Sequence, residues 1–149
     1  MQLTRFTDLG LRAMMLLAAG EFDEQRVTTR HIAANAGASE NHIAKAVSRL
    51  VDLGLVHARR GRVGGLSLTD AGRAASVGWL VRELEGDREV IVCEGATPCP
   101  LIAGCRLRRV LADAKEAFYA ELDRYTVADL ARSPALQLIQ LIPSDRTNP

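Results

Sequence analysis

Apolar side chains return every three or four positions along most of this chain, the spacing of a single helix face. The first such run covers residues 3 or 4 to 19, contains Ala13-Met14-Met15-Leu16-Leu17-Ala18-Ala19, and stops at Gly20. The charged stretch 21–26 reads as a loop. Thr28 or Thr29 can cap a second helix through Ala36, with Ile32, Ala33 and Ala36 facing inward and Gly37 free to take a left-handed turn. Ser39 can cap a third helix reaching about Leu53, with Ile43, Val47 and Leu50 as its apolar stripe and Gly54 at its end.

The pattern then shortens. Residues 55–58 and 66–69 read as two strands joined by the glycine-rich tip Arg59-Arg60-Gly61-Arg62-Val63-Gly64-Gly65. Beyond it, Ser76 can cap a helix through about Glu85, with Val77, Leu80, Val81 and Leu84 apolar and Trp79 beside them as a core or interface anchor. From Arg106 to Leu122 the residues Leu107, Val110, Leu111, Ala114, Phe118 and Leu122 recur at helical spacing. A helix of that length spans roughly 27 Å and is expected to pair with its copy in a dimer; the alternative is that it folds back on its own domain. Thr126 can cap a short helix over 127–131, and the tail after Pro134 carries no functional assignment. The fold class is therefore mainly α with a small β-hairpin. It comprises a winged helix-turn-helix domain (1–75), a cysteine loop with a long dimerisation helix (76–132) and a tail (133–149).

Composition narrows the class. At 149 residues, 48% hydrophobic, 25% charged and 4% aromatic, the chain can bury a core and is too apolar to be disordered. It has no run of eighteen apolar residues, so no membrane span is expected. The start imitates a secretory signal, but Asp8 and Arg12 break the charge and apolar pattern a signal needs. A cytoplasmic protein is expected, in keeping with an odd count of three cysteines.

The near balance of 19 basic and 18 acidic residues hides an asymmetry. Residues 29–65 hold six cations against two anions, whereas 76–104 hold two against five. The first segment suits phosphate and the second repels it. Asn41, Lys45 and Ser48 lie opposite the Ile43–Val47–Leu50 stripe and look outward together. Asn pairs bidentately with adenine, and Lys reads guanine or phosphate. Two helices with a tight turn could be an ordinary hairpin with a solvated face. The adjacent arginine cluster argues otherwise, because like charges are packed together at a cost unless an anion is to be met. The expected DNA contacts are Ser39, Asn41, His42, Lys45, Ser48 and Arg49 from the third helix, with Arg59, Arg60 and Arg62 from the wing. No nucleophile–base constellation points to an enzyme.

Cys93, Cys99 and Cys105 fall within thirteen residues, among Gly95, Pro98, Pro100 and Gly104, which forbid a regular helix or strand. Thiolates clustered in a turn-rich loop suit a shared ligand. Zinc needs a fourth ligand and tight pairs, and His31, His42 and His57 lie in the DNA-binding part. A disulfide switch leaves one cysteine spare. An iron–sulfur cluster tolerates three thiolates and one other ligand. Arg106, Arg108 and Arg109 at the start of the next helix favour thiolate at Cys105.

The opening Leu3-Thr4-Arg5-Phe6-Thr7-Asp8-Leu9, the Ala44-Lys45-Ala46 triplet, the Arg59-Arg60-Gly61…Gly64-Gly65-Leu66 wing and Cys93-x5-Cys99-x5-Cys105 together resemble one family over about residues 1–130. This is the family of bacterial winged-helix iron–sulfur regulators that includes IscR and NsrR. Val77-Gly78-Trp79-Leu80-Val81-Arg82-Glu83-Leu84-Glu85-Gly86 and Pro98-Cys99-Pro100-Leu101 are most similar to its nitric-oxide-sensing actinobacterial branch. The resemblance implies a homodimeric repressor on a pseudo-palindromic double-stranded operator, released when a 4Fe–4S cluster is nitrosylated or lost. It implies Cys93, Cys99 and Cys105 as ligands, with Asp8 reaching the cluster of the other subunit. IscR-like members carry a His three residues after the last cysteine, where this chain has Arg108. Asp8 can otherwise be a helix charge paired with Arg12. Val63 replaces a glycine of the usual wing, which stiffens the tip, and 39–41 depart from the family, so no operator is carried over. A 2Fe–2S redox regulator, a small iron–sulfur electron carrier and a zinc-stapled DNA-binding protein are the alternatives.

Overall fold

The computed structural model describes residues 2–20, 27–61, 64–86, 88–132, 134 and 136. Arg62, Val63, the stretch 21–26 and nearly all of the tail lie outside the described residues. The elements run α1 (Arg5–Gly20), α2 (Thr29–Ala36), α3 (Glu40–Asp52), β1 (Val56–Arg59), β2 (Gly65–Leu68), α4 (Asp70–Ala74), α5 (Val77–Glu85), α6 (Arg106–Leu122) and α7 (Val127–Ala131). Hydroxyl caps start the helices where the sequence offers them. The Thr28, Ser39, Ser76 and Thr126 side chains accept from the amides of His31, His42, Trp79 and Asp129. Gly37 ends α2 at φ 62°, the left-handed value that turns the chain into α3.

The helix-turn-helix is built on α1. Leu9, Ala13, Met14 and Leu17 of α1 join Ile32 of α2 and Ile43, Val47 and Leu50 of α3 in one buried core. The hairpin pairs β1 with β2 antiparallel, from Val56 opposite Leu68 to Arg59 opposite Gly65. Its base is anchored by the Leu66 amide, which donates to the Val27 carbonyl at 2.8 Å. Leu80 and Leu84 of α5 and Val127 and Ala131 of α7 enter the same core. The core thus continues past the expected boundary at residue 75.

Two details differ from the sequence reading. The second strand ends at Leu68, and Thr69 instead caps α4, a five-residue helix with no apolar periodicity to reveal it. Trp79 is 39% exposed, so it is no core anchor. The long helix divides its loyalties. Tyr119 of α6 is buried with Val77 and Val81 of α5, flanked by Phe118 and Leu122. Its first turns leave Leu107 and Val110 exposed. The C-terminal half therefore folds back on its own domain while the N-terminal half keeps an uncovered apolar face.

Candidate nucleic-acid interface and cysteine loop

On α3, burial of Ile43, Ala46, Val47 and Leu50 sends the opposite face to solvent, and Asn41, His42, Lys45 and Ser48 are all exposed. Ser39 is also exposed, and its hydroxyl lies 2.9 Å from Nδ1 of His42, so it both caps the helix and orients that imidazole. Arg49 is placed differently. Its guanidinium donates to Glu83 of α5 at 3.2 Å, tying the last turn of the recognition helix to the next helix. Arg59 and Arg60 are exposed on the hairpin, where Gly61 adopts φ 102° at the tip. Arg62, expected beside them, lies outside the described residues. An exposed face of α3 and the exposed arginines 59 and 60 of the hairpin are the kinds of surface a winged helix presents to DNA.

The cysteine loop runs between α5 and α6. All three cysteines are free thiols; Cys93 is buried and the other two are half-buried. The Cys99 amide donates to the Cys93 carbonyl at 3.0 Å, closing the first half of the loop. Cys105 stands at the N-cap of α6 with no side-chain capping bond, which leaves its sulfur uncommitted. Burial pushes the Cys93 thiol up; the Arg108 charge opposes this, and Cys99, Glu89 and Cys105 add to it.

Arg108 organises this loop. Its Nε lies 3.1 Å from both Glu89 carboxylate oxygens and its Nη2 3.1 Å from Glu94, with a further short bond from Nη2 to Glu89. Nothing in its spacing from Glu89 and Glu94 marks these partners in the sequence. A cavity of about 570 Å³ opens beside it, lined among others by Val90, Ile91, Cys105 and Leu111.

Asp8 lies half-buried in the first turn of α1, and Arg12 donates to it at 2.7 Å. Glu85 accepts from the amide and hydroxyl of Thr4, the residue just before α1, at 2.6 and 3.0 Å. Among the described residues no three His, Cys, Asp or Glu side chains gather as a mononuclear ion requires, and Asp8 does not join the cysteines of its own chain. A 4Fe–4S cluster makes a different demand, since each thiolate binds a separate iron and the sulfurs stand apart. Three free soft donors on one loop fit that group, with a fourth ligand still to come from outside it.

Comparison with known proteins agrees with this arrangement. The family model described as "Rrf2: Iron-dependent Transcriptional regulator" matches residues 3–133. The chain is 58% identical over 134 residues to the HTH-type transcriptional repressor NsrR of Streptomyces coelicolor, covering 90% of each. It is 39% identical to the HTH-type transcriptional regulator NsrR of Geobacillus kaustophilus, over 91% of this chain and 92% of that one. Among solved structures, the oxidised form of Staphylococcus aureus CymR matches with a TM-score of 0.67 at 25% identity, covering 89% of this chain and 98% of that one. IscR from T. potens matches with a TM-score of 0.65 at 26% identity, over 87% and 85%. Among the described residues no helix is long and apolar enough to cross a membrane. A winged helix with an exposed basic face, carried on a chain matched over nearly its whole length, belongs to the Rrf2 family of iron-dependent transcriptional regulators, DNA-binding proteins and not enzymes.

Proposed function

We propose that this regulator is a homodimeric repressor that senses nitric oxide through a 4Fe–4S cluster. Cys93, Cys99 and Cys105 of one subunit would hold it, with Asp8 of the partner subunit as fourth ligand. The observation that carries the reading is three free cysteines, each separated from the next by five residues, in a chain 58% identical to a protein named as the repressor NsrR. The nitric-oxide signal rests on the resemblance of residues 77–86 and 98–101 to that branch. When bound, the cluster supplies iron that reacts with nitric oxide, and carboxylate is the hard, weakly held ligand among its four.

The chain's own residues would relay the event. Asp8 sits on α1, and α1 packs through Leu9, Ala13, Met14 and Leu17 against the α3 stripe. Tying Asp8 to the partner's cysteine loop fixes α1, and with it the spacing of two recognition helices on a pseudo-palindrome. Freeing Asp8 returns it to Arg12 and lets α1 and α3 shift together. The shift in DNA affinity is limited to the difference in contacts between the two arrangements. The exposed Leu107 and Val110 of α6 supply an apolar face for the second subunit.

Anaerobic purification with iron and sulfide analysis and a visible spectrum tests the cofactor. Four irons and four sulfides per subunit support the reading, whereas a 2Fe–2S spectrum turns it to a general redox regulator. Cys93→Ala, Cys99→Ala and Cys105→Ala should each give colourless protein with weak operator binding. Full cluster retention in the Cys99 variant overturns the ligand assignment.

A further inference from the structure

Arg108, in the first turn of α6, ties that helix to both carboxylates on either side of Cys93. Cys105 stands at the N-cap of α6, and Arg108 reaches back from that helix to Glu89 and Glu94 around Cys93, while Lys115 further along α6 donates to the Arg88 carbonyl at 2.7 Å. The Arg108 side chain is 31% exposed, and three donor–acceptor pairs to one carboxylate plus one to a second make a forked, oriented clamp. An ordinary surface ion pair of this kind contributes little. This one bridges a segment rich in glycine and proline whose described residues form no helix or strand between α5 and α6. Loop closure is what convergence of three thiolates requires, so the entropy lost in gathering them is partly met before any ligand arrives. Arg108 stands three residues after Cys105 and bonds Glu94, the immediate neighbour of Cys93, so its charge sits between the two ends of the triad.

We propose that Arg108 is a positioning residue for the cysteine triad, holding Cys93 against the start of α6 and placing one fixed positive charge beside the thiolates. Its electrochemical half rests on the cluster reading above; its mechanical half does not. The guanidinium does not ligate iron, because it has no lone pair to give at accessible pH. A lysine can keep the charge but not the fork, and a glutamine can keep some hydrogen bonding but not the charge.

The test compares wild type with Arg108→Lys and Arg108→Gln as full chains. Hydrogen exchange over residues 89–105 of the cluster-free protein reads the clamp: both variants should exchange several-fold faster than wild type. Anaerobically purified samples with equal iron and sulfide content then read the charge by redox titration. Arg108→Gln should move the cluster potential to more negative values, with Arg108→Lys staying near wild type. A residue that merely stabilised the fold would leave the potential unchanged in both. Exchange equal to wild type in both variants overturns the clamp, and an unshifted potential in the glutamine variant overturns the charge. A wild-type protein without iron and sulfide refutes the cluster reading and the electrochemical half with it, while the exchange result still decides the clamp.

Discussion

Arg60 follows β1 at the hairpin tip, exposed and next to Gly61, where an arginine can follow a groove without moving the core. Arg60→Ala removes one cation per protomer, hence two per dimer on a palindromic site. Each neutralised phosphate contributes about 0.9 to the slope of log affinity against log salt, so the slope should fall by about 1.8. Over a four-fold rise, from about 50 to about 200 mM salt, wild-type affinity should therefore drop about twelve-fold more than that of the variant. Fluorescence anisotropy with a labelled promoter fragment and an unrelated duplex of equal length measures both. The change should appear on both duplexes, since a phosphate contact carries no sequence information. Arg124→Ala is the control, because that arginine is paired with Glu121 at the far end of α6. An unchanged slope in Arg60→Ala, or an equal change in the control, refutes a backbone-contacting wing.

Asp8→Ala should keep its colour, with the three cysteines still in place, yet lose operator affinity; equality with wild type in both affinity and nitric-oxide response returns Asp8 to its pair with Arg12. Gly78→Ala should destabilise the fold by about 1–3 kcal/mol in thermal melts, because a Cβ there runs into the Asp123 carboxylate and the Tyr119 carbonyl where α6 meets α5; an unchanged melting temperature contradicts that close approach. The Thr126 hydroxyl and amide hold the Asp129 carboxyl below its usual range, and Arg82 does the same for Glu116. Their contribution is complete above the ordinary carboxylate range and lost as pH falls from there through the lowered folded values, so Asp129→Asn with Glu116→Gln should flatten the acid limb of the stability curve below about pH 5. Curves that stay parallel to wild type sink this assignment.

Local signals were legible in the sequence because their physics is local. Ser39, Ser76 and Thr126 cap the helices expected of them, Gly37 turns left-handed, and the strands pair across the glycine tip. Asp8 and Arg12, four residues apart on one helix, form the expected pair. What escaped depends on tertiary neighbours. Arg49 belonged to a contiguous basic segment, yet it meets Glu83 thirty-four residues on, a partner no local spacing announces. The apolar stripe of α6 pointed to Phe118 and Leu122, whereas Tyr119, one step round the helix, is the side chain α5 buries, under the Arg82 guanidinium 4.0 Å from its ring centre. Their clustering in a turn-rich loop marked the three cysteines in the sequence as candidates for one shared ligand, but no spacing disclosed that Arg108 bonds to Glu89 and Glu94.

Operator affinity of anaerobically purified protein before and after stoichiometric nitric oxide, with iron and sulfide determined on the same samples, tests the central claim most directly. The account predicts tight, salt-sensitive binding to the protein's own promoter fragment while the iron and sulfide are intact. It predicts loss of that binding in step with the reaction, and weak binding from the outset in Cys99→Ala. Equal affinity in the cluster-loaded, nitric-oxide-treated and Cys99→Ala proteins would contradict it.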